Sequence, residues 1–323
     1  MIRTDVMVQL DLQVPVLSAP MAGIAGGALA AAVTGAGGLG LIGGGYGDRA
    51  WLEREFDEAG SARVGVGFIT WALASKPDLL AVALERKPAA VMLSFGDLAG
   101  FAPAIHRAGI PLIAQVQTVE AARIAVQEGA RVIVAQGTEA GGHSGQRATM
   151  SLVPAVVDAV GSTPVVAAGG IADGRGLAAA LMLGAGGVLC GTAFYTAKES
   201  LAHGAAKQAA VEASGDHTVK GSVFDAIRGY RWPEPWSIRS LRNRFFSEWE
   251  NRVDQLREHQ AHHHPAFAAA QAHGDVMIAP VIVGEAVDLV LEIEPAADIV
   301  QRIAAEAEAR LGRFGTGGKA EAR

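Results

Sequence analysis

His143 has surroundings suited to proton transfer. It lies in the segment VAQGTEAGGHSGQ, with Gly141, Gly142 and Gly145 around it, just after the apolar run Val132–Gln136. Glycines supply little bulk to bury an imidazole, and an imidazole exchanges a proton near neutral pH. The residue type therefore suits general acid–base work or stabilisation of developing negative charge. The residues alone leave a structural or solvated histidine equally open. Two further clusters, VVAAGG at 165–170 and VLCGTAF at 188–194, each close an apolar run. Backbone N–H groups bare of a Cβ approach phosphate oxygens closely, and a following helix N-terminus favours the anion. Gly169, Gly170, Gly191 and Thr192 are thus candidate phosphate donors, against the plainer reading of turn glycines. Asp173 is placed as the N-cap of the helix that follows.

Other reactive residue types carry weaker signals. Gly35, Gly37 and Gly40 spell G-x-G-x-x-G. They end the helical ALAAAVTG and open a strand, the reverse of a dinucleotide-binding turn, so a helix stop and a tight connection are expected. Cys190 reads as a small core side chain. His262, His263 and His264 are consecutive and cannot share one helix face, which favours a solvated run over a metal site. No metal is expected. Glu139 could pair with a loop donor or hold His143. Arg239, Arg242 and Arg244 read as a solvated helix face, with a cofactor phosphate as the alternative.

These residues hang on a repeated pair of elements, a short apolar run followed by a helical stretch. The runs are Val16–Met21, Leu39–Gly43, Val64–Ile69, Ala90–Phe95, Pro111–Val116, Val132–Gln136, Pro164–Ala168 and Gly187–Thr192. Helical patterns follow near 26–34, 48–59, 78–86, 98–108, 118–129, 151–160, 173–183 and 196–213. The runs lack alternation, as strands covered on both faces do. An α/β fold, a (β/α)8 TIM barrel over residues 1–200, is expected, with His143 after the sixth strand and the two glycine clusters after the seventh and eighth. Residues 201–323 read as a mainly helical cap and C-terminal helix, the latter packing back on the barrel. Within it RSLRNRFFSEWENRV reads as one amphipathic helix carrying Leu241, Phe245, Trp249 and Val253. Pro295–Leu311 reads as the last helix, and GRFGTGGKAEAR as a frayed end.

Composition narrows the function classes. Of 323 residues 50% are apolar and 19% charged, enough for a large core, and the net charge of −6 with no basic stripe argues against nucleic acid. One cysteine suits a reducing cytoplasm. Leu12–Gly47 is uncharged, but its eleven glycines and two prolines speak for buried strands and small-residue helices rather than a membrane span. The N-terminus MIRTDVMVQLDLQVP lacks the apolar centre of a signal peptide. A soluble cytoplasmic protein is expected.

The segments APMAG at 19–23, AQGTEAGGHSG at 135–145, AAGGIADGRG at 167–176 and GTAF at 191–194, together with WPEPWSIRSLRNRF, resemble the nitronate monooxygenase family. The phosphate loops are shared by many FMN barrels, whereas AQGTEAGGHSG is more diagnostic. The resemblance implies a barrel holding non-covalent FMN. Pro20, Met21 and Ala22 would run along the flavin, Gly67 would contact it, and Gln115 and Gln136 would lie near the ring or ribityl groups. Gly142 would sit beside the cofactor, and Ala168, Gly169, Gly170, Gly191 and Thr192 would cradle its phosphate. His143 matches the active-site histidine. Some relatives carry lysine where this chain has Gln115. The implied reaction oxidises an alkyl nitronate with O2 to a carbonyl compound and nitrite, the flavin carrying the redox chemistry. The alternative on the same barrel is an NAD(P)H-dependent FMN reductase of quinones or enoyl thioesters. An IMP dehydrogenase-like reading fails for want of a cysteine after the sixth strand. A non-catalytic flavin binder would have no use for His143. A homodimer is left open.

Overall fold

The computed structural model describes residues 2–315. Eight parallel strands form the central sheet: β1 (Val16–Ser18), β2 (Leu41–Gly43), β3 (Gly65–Ile69), β4 (Val91–Ser94), β5 (Leu112–Val116), β6 (Val132–Gln136), and then, beyond a short strand β7 (Gly142–Ser144), β8 (Val165–Ala168) and β9 (Gly187–Cys190). Neighbours run in the order β1-β9-β8-β6-β5-β4-β3-β2. The ring closes where Leu17 meets Leu39 and Ser18 N–H donates to the Leu39 carbonyl at 3.0 Å. This is the expected (β/α)8 barrel, and each of the eight expected apolar runs supplies one of its strands.

Two apolar layers hold it. Leu17, Leu41, Met92, Ile113, Val134, Val166 and Leu189 fill the interior, while Ile42, Val66, Leu93, Ala114, Ile133 and Val188 face the surrounding helices. Burial on both faces is why the strand sequences do not alternate. The helix Asp5–Leu10, capped by the Thr4 hydroxyl, adds Val6 and Leu10 to the interior layer. The final helix, Ala296–Gly315, places Ile299, Val300, Ile303 and Ala307 in the same apolar layer as the barrel helices. Residues 316–323, most of the stretch read as frayed, lie outside the described residues.

Three expectations are corrected. First, His143 does not sit in an open loop. It lies on β7, which pairs antiparallel with β11 (Ser237–Leu241), itself paired with β10 (Thr218–Gly221). Secondly, RSLRNRFFSEWENRV is not one helix. Arg239–Leu241 belong to β11, Asn243 caps a helix over Arg244–Trp249, and a separate helix spans Val253–Glu258. The Asn243 carbonyl-amide accepts from Phe246 N–H, a local bond that starts the helix there. Thirdly, the helix expected at 196–213 forms only over Gly204–Val211, and a separate short helix, Thr192–Tyr195, precedes it. Between them the carbonyls of Ala197, Lys198 and Ser200 take hydrogen bonds from Lys207 Nζ instead of from helical N–H groups.

Candidate active site

A cavity of about 740 Å³ opens at the C-terminal ends of the barrel strands. Each of the thirteen residues that the resemblance assigned to catalysis or the cofactor borders it: Pro20, Met21 and Ala22 after β1; Gly67 on β3; Gln115 on β5; Gln136 on β6; Gly142 and His143 on β7; Ala168, Gly169 and Gly170 at the end of β8; Gly191 and Thr192 after β9.

The glycines do different jobs. A Cβ on Gly67 would come within 2.3 Å of the Pro20 ring, so this glycine lets β3 pack against the segment after β1. Gly169 and Gly170 both have positive φ, +96° and +70°, a backbone that L side chains rarely adopt. Gly191 is different, because a Cβ there would meet nothing nearer than Ala19 Cβ at 3.7 Å. Thr192 opens a short helix, so its N–H has no carbonyl partner within that helix. Its hydroxyl accepts from Gly284 N–H at 2.9 Å. Asp173 is the expected N-cap, accepting from Arg175 and Gly176 N–H.

The two glutamines form a support rather than a loose rim. Gln136 Oε1 accepts from Gln115 Nε2 at 3.2 Å and from Gln117 Nε2 at 2.8 Å, and Gln136 Nε2 donates to the His143 carbonyl at 3.1 Å. An amide carries two acceptor lone pairs and two N–H donors, so the Gln136 carboxamide is three-quarters committed to protein. Trp236 Nε1 donates to Gln117 Oε1 at 3.1 Å, tying β11 into the same network.

His143 is buried, 8% exposed, and its Nε2 lies 3.1 and 3.0 Å from the two carboxylate oxygens of Asp225. Trp232 stacks on the imidazole, ring centroids 3.4 Å apart and planes 10° from parallel. Burial lowers the His143 pKa from the ordinary value, and the hydrogen bond and charge of Asp225 work against that. Burial is the larger effect and favours the neutral imidazole. Trp232 is pinned in turn, donating Nε1–H to the Tyr46 hydroxyl at 3.0 Å, and Tyr46 stacks on Tyr230 at 3.9 Å. Burial also raises the Tyr46 phenol pKa, keeping it protonated. Phe95 leaves β4 with φ +64°, an uncommon backbone for a bulky residue, and places its ring 5.0 Å from Trp232 and 5.5 Å from Trp236.

Sequence reasoning missed Asp225, Trp232, Tyr46, Tyr230, Arg228, Phe95 and Gln117. Trp232 and Trp236 lay inside a quoted motif, but the others had no local pattern to mark them. Glu139 does not hold His143: its carboxylate accepts from Thr149 N–H and hydroxyl. Arg239 is not a solvated residue. It is 9% exposed, donates to the Thr138 carbonyl and pairs with Glu285 at 2.8 Å. Cys190 is a buried core thiol, its pKa pushed up to about 12 by burial. Among the described residues no group of three or more His, Cys, Asp or Glu could hold a metal, and no helix is long and apolar enough to cross a membrane.

With this geometry in place, three comparisons bear on identity. The family model for nitronate monooxygenase matches residues 69–306. A nitronate monooxygenase of Neurospora crassa is 35% identical, over 92% of this chain and 89% of its own. Among solved structures, FabK from Thermotoga maritima is 33% identical with a TM-score of 0.85, covering 98% of this chain and 99% of its own. Nitroalkane oxidase from Streptomyces ansochromogenes is 29% identical with a TM-score of 0.79, covering 94% and 98%. A (β/α)8 barrel with a cavity at its strand ends, matched by a model over most of its length, places the protein: the chain belongs to the nitronate monooxygenase family.

Proposed function

We propose that this protein binds FMN and oxidises alkyl nitronates with O2 to carbonyl compounds and nitrite. The observation that carries the reading is the convergence of a buried, carboxylate-held His143 and a glycine-lined rim on one cavity. Its volume falls within the range of small-molecule and cofactor sites. The donor set fits FMN. Gly191 and Gly142 leave room where a Cβ would meet nothing closer than 3.7 and 3.8 Å. Gly169, Gly170, Gly191 and Thr192 would hold the phosphate through backbone groups. Gln115, with its carboxamide only partly engaged, would meet the polar edge of the ring. Pro20, Met21, Ala22 and Gly67 would line one side of the ring system, with Gly142 and Ala168 beside it. When bound, FMN supplies the redox chemistry between nitronate and O2.

The chain's own residues bind, orient and shield. In its protonated form His143 would hold the nitro oxygens of a bound nitronate, and in its neutral form it would take the α-proton of a neutral nitroalkane. Trp232, Phe95 and Tyr46 would exclude water above it, raising the strength of each polar contact. Within this reading, residues 1–200 provide the cofactor site and the cap that follows covers it, contributing Asp225, Arg228, Tyr230 and Trp232.

One observation favours a second reading. Arg228 borders the cavity and forms no ion pair among the described residues, so it could meet a phosphate of NADH, NADPH or an acyl thioester. Anaerobic mixing of the yellow protein with an alkyl nitronate, and separately with NADH and NADPH, separates the two. Bleaching by nitronate with little response to the nicotinamides is expected. Rapid bleaching by either nicotinamide alone would move the protein to the reductase reading.

A further inference from the structure

The carboxylate of Asp225 is buried, 2% exposed, and its only side-chain hydrogen-bond partner among the described residues is the Nε2 of His143. A buried carboxylate engaging a single group is costly unless that contact serves a purpose. The contact is built from distant parts of the chain. Asp225 lies on the helix Val223–Arg228, whose Val223, Phe224, Ala226 and Ile227 are all buried in the cap, while His143 is fixed by its register opposite Ile238 of β11. The imidazole is further restrained on one face by Trp232 and, through its own carbonyl, by Gln136. Nδ1 makes no hydrogen bond among the described residues. His143 borders the cavity, and Asp225 does not.

We propose that Asp225 is a positioning residue. By accepting the Nε2 proton it selects the tautomer that leaves Nδ1 bare, and this makes Nδ1 the atom that receives the substrate proton. The proposal rests on the nitronate reading for the identity of the substrate. In the step, the Cα–H bond of a neutral nitroalkane breaks, the proton passes to Nδ1, and the bonding pair moves into the nitro group to give the nitronate. The resulting imidazolium, protonated on both nitrogens, is stabilised by the Asp225 carboxylate, as in the carboxylate–histidine pairs of hydrolases. The charged groups acting on His143 are Asp225 and Arg228 from the one helix and Lys220 from β10. The two cations oppose the imidazolium and Asp225 favours it. A ready-made nitronate needs no proton removed, so the two substrate forms should depend on Asp225 unequally.

The first readout is independent of turnover. Long-range proton–nitrogen NMR of the 15N-histidine-labelled holoprotein, with the His143 signals assigned by their loss in His143→Gln, should show Nε2 protonated and Nδ1 bare. In Asp225→Asn the Nδ1-protonated form should appear. A wild-type signal with the proton on Nδ1, or an unchanged tautomer in Asp225→Asn, overturns the proposal. Should Asp225→Asn fail to fold, the wild-type spectrum still decides. The second readout is kinetic. Asp225→Asn should lower kcat/KM for neutral nitroalkane by about 100-fold or more, within the range for a general base, and lower it for the matching nitronate by less than about tenfold. The acid limb should move to lower pH, because the carboxylate that raises the His143 pKa is gone, and Asp225→Glu should recover part of the loss. Equal losses for both substrate forms with an unmoved limb would mean a merely structural role. If the wild type oxidises neither form while the NMR pattern holds, the nitronate reading fails and the positioning role stands.

Discussion

At His143, burial and the Asp225 contact pull the imidazole in opposite directions, and burial is the larger effect. The neutral form is the one able to accept a proton, so activity is lost as pH falls through the pKa of His143. Because that pKa is lowered, the acid limb of kcat/KM for a neutral nitroalkane is expected below the ordinary histidine value of about 6.5. A pH profile with its acid limb at or above that value would contradict this account. His143→Gln keeps a similar volume against Trp232 but has no titrating nitrogen. It is expected to retain bound FMN, read from the visible absorbance, while nitroalkane turnover falls by about 100-fold or more. His143 could be found from sequence because its glycine-rich setting and its place after the sixth strand are local facts. Asp225 could not, since it lies 82 residues from its partner in an apolar helix with nothing around it to mark a site.

At the scale of elements, the site depends on how the β6–β7 connection is tied down. Lys220 on β10 donates to the Gly145 carbonyl and to Thr138 Oγ1, and Arg239 on β11 reaches the Thr138 carbonyl. Lys220→Met removes the donor and leaves the Gly145 carbonyl without it, a loss of about 1–3 kcal/mol for a buried polar group. Faster amide hydrogen exchange across residues 137–145 is expected, with the barrel strands unchanged. The glycine rim gives a second test. A bulky residue at Gly169 would strike the Gly137 carbonyl at 2.9 Å on a backbone that resists side chains, so failure there would not distinguish binding from folding. Gly191 is the informative position, having ordinary φ and free space for a Cβ. Gly191→Leu is expected to keep its melting temperature within a few degrees while FMN affinity drops at least about tenfold, or ~1.4 kcal/mol, by titration. Unchanged affinity would remove Gly191 from the phosphate cradle.

Across the whole molecule, the last helix is part of the barrel's apolar packing and not an appendage. Ile303, fully buried, sits in the same layer as the barrel helices, and Gln301 donates to the Ala36 carbonyl from the far side of the chain. Ile303→Ala is expected to cost about 2–5 kcal/mol, seen as a lower urea midpoint for the barrel itself. If the C-terminal helix unfolded in a separate, earlier transition with the barrel signal unmoved, that packing would not be cooperative.

The barrel was legible because its cause is local. Strand–turn–helix units repeat at short spacing, strands buried on both faces lose alternation, and glycines mark the strand ends where such folds bind anions. The thirteen residues carried forward all reached one cavity, since a residue at the C-terminal end of any barrel strand ends up at the same mouth. The rest depended on pairings far apart in sequence. Ser144 meets Ser237, Ile238 meets His143, and Arg239 is drawn from an apparent helix into a buried strand position beside Thr138. That register turns a flexible-looking histidine loop into a strand, and it swings Asp225, Trp232 and Tyr230 over the barrel mouth. Hydrophobic spacing does not encode which distant strand pairs with which, so the carboxylate and the indole that define His143 emerge only once the chain has folded.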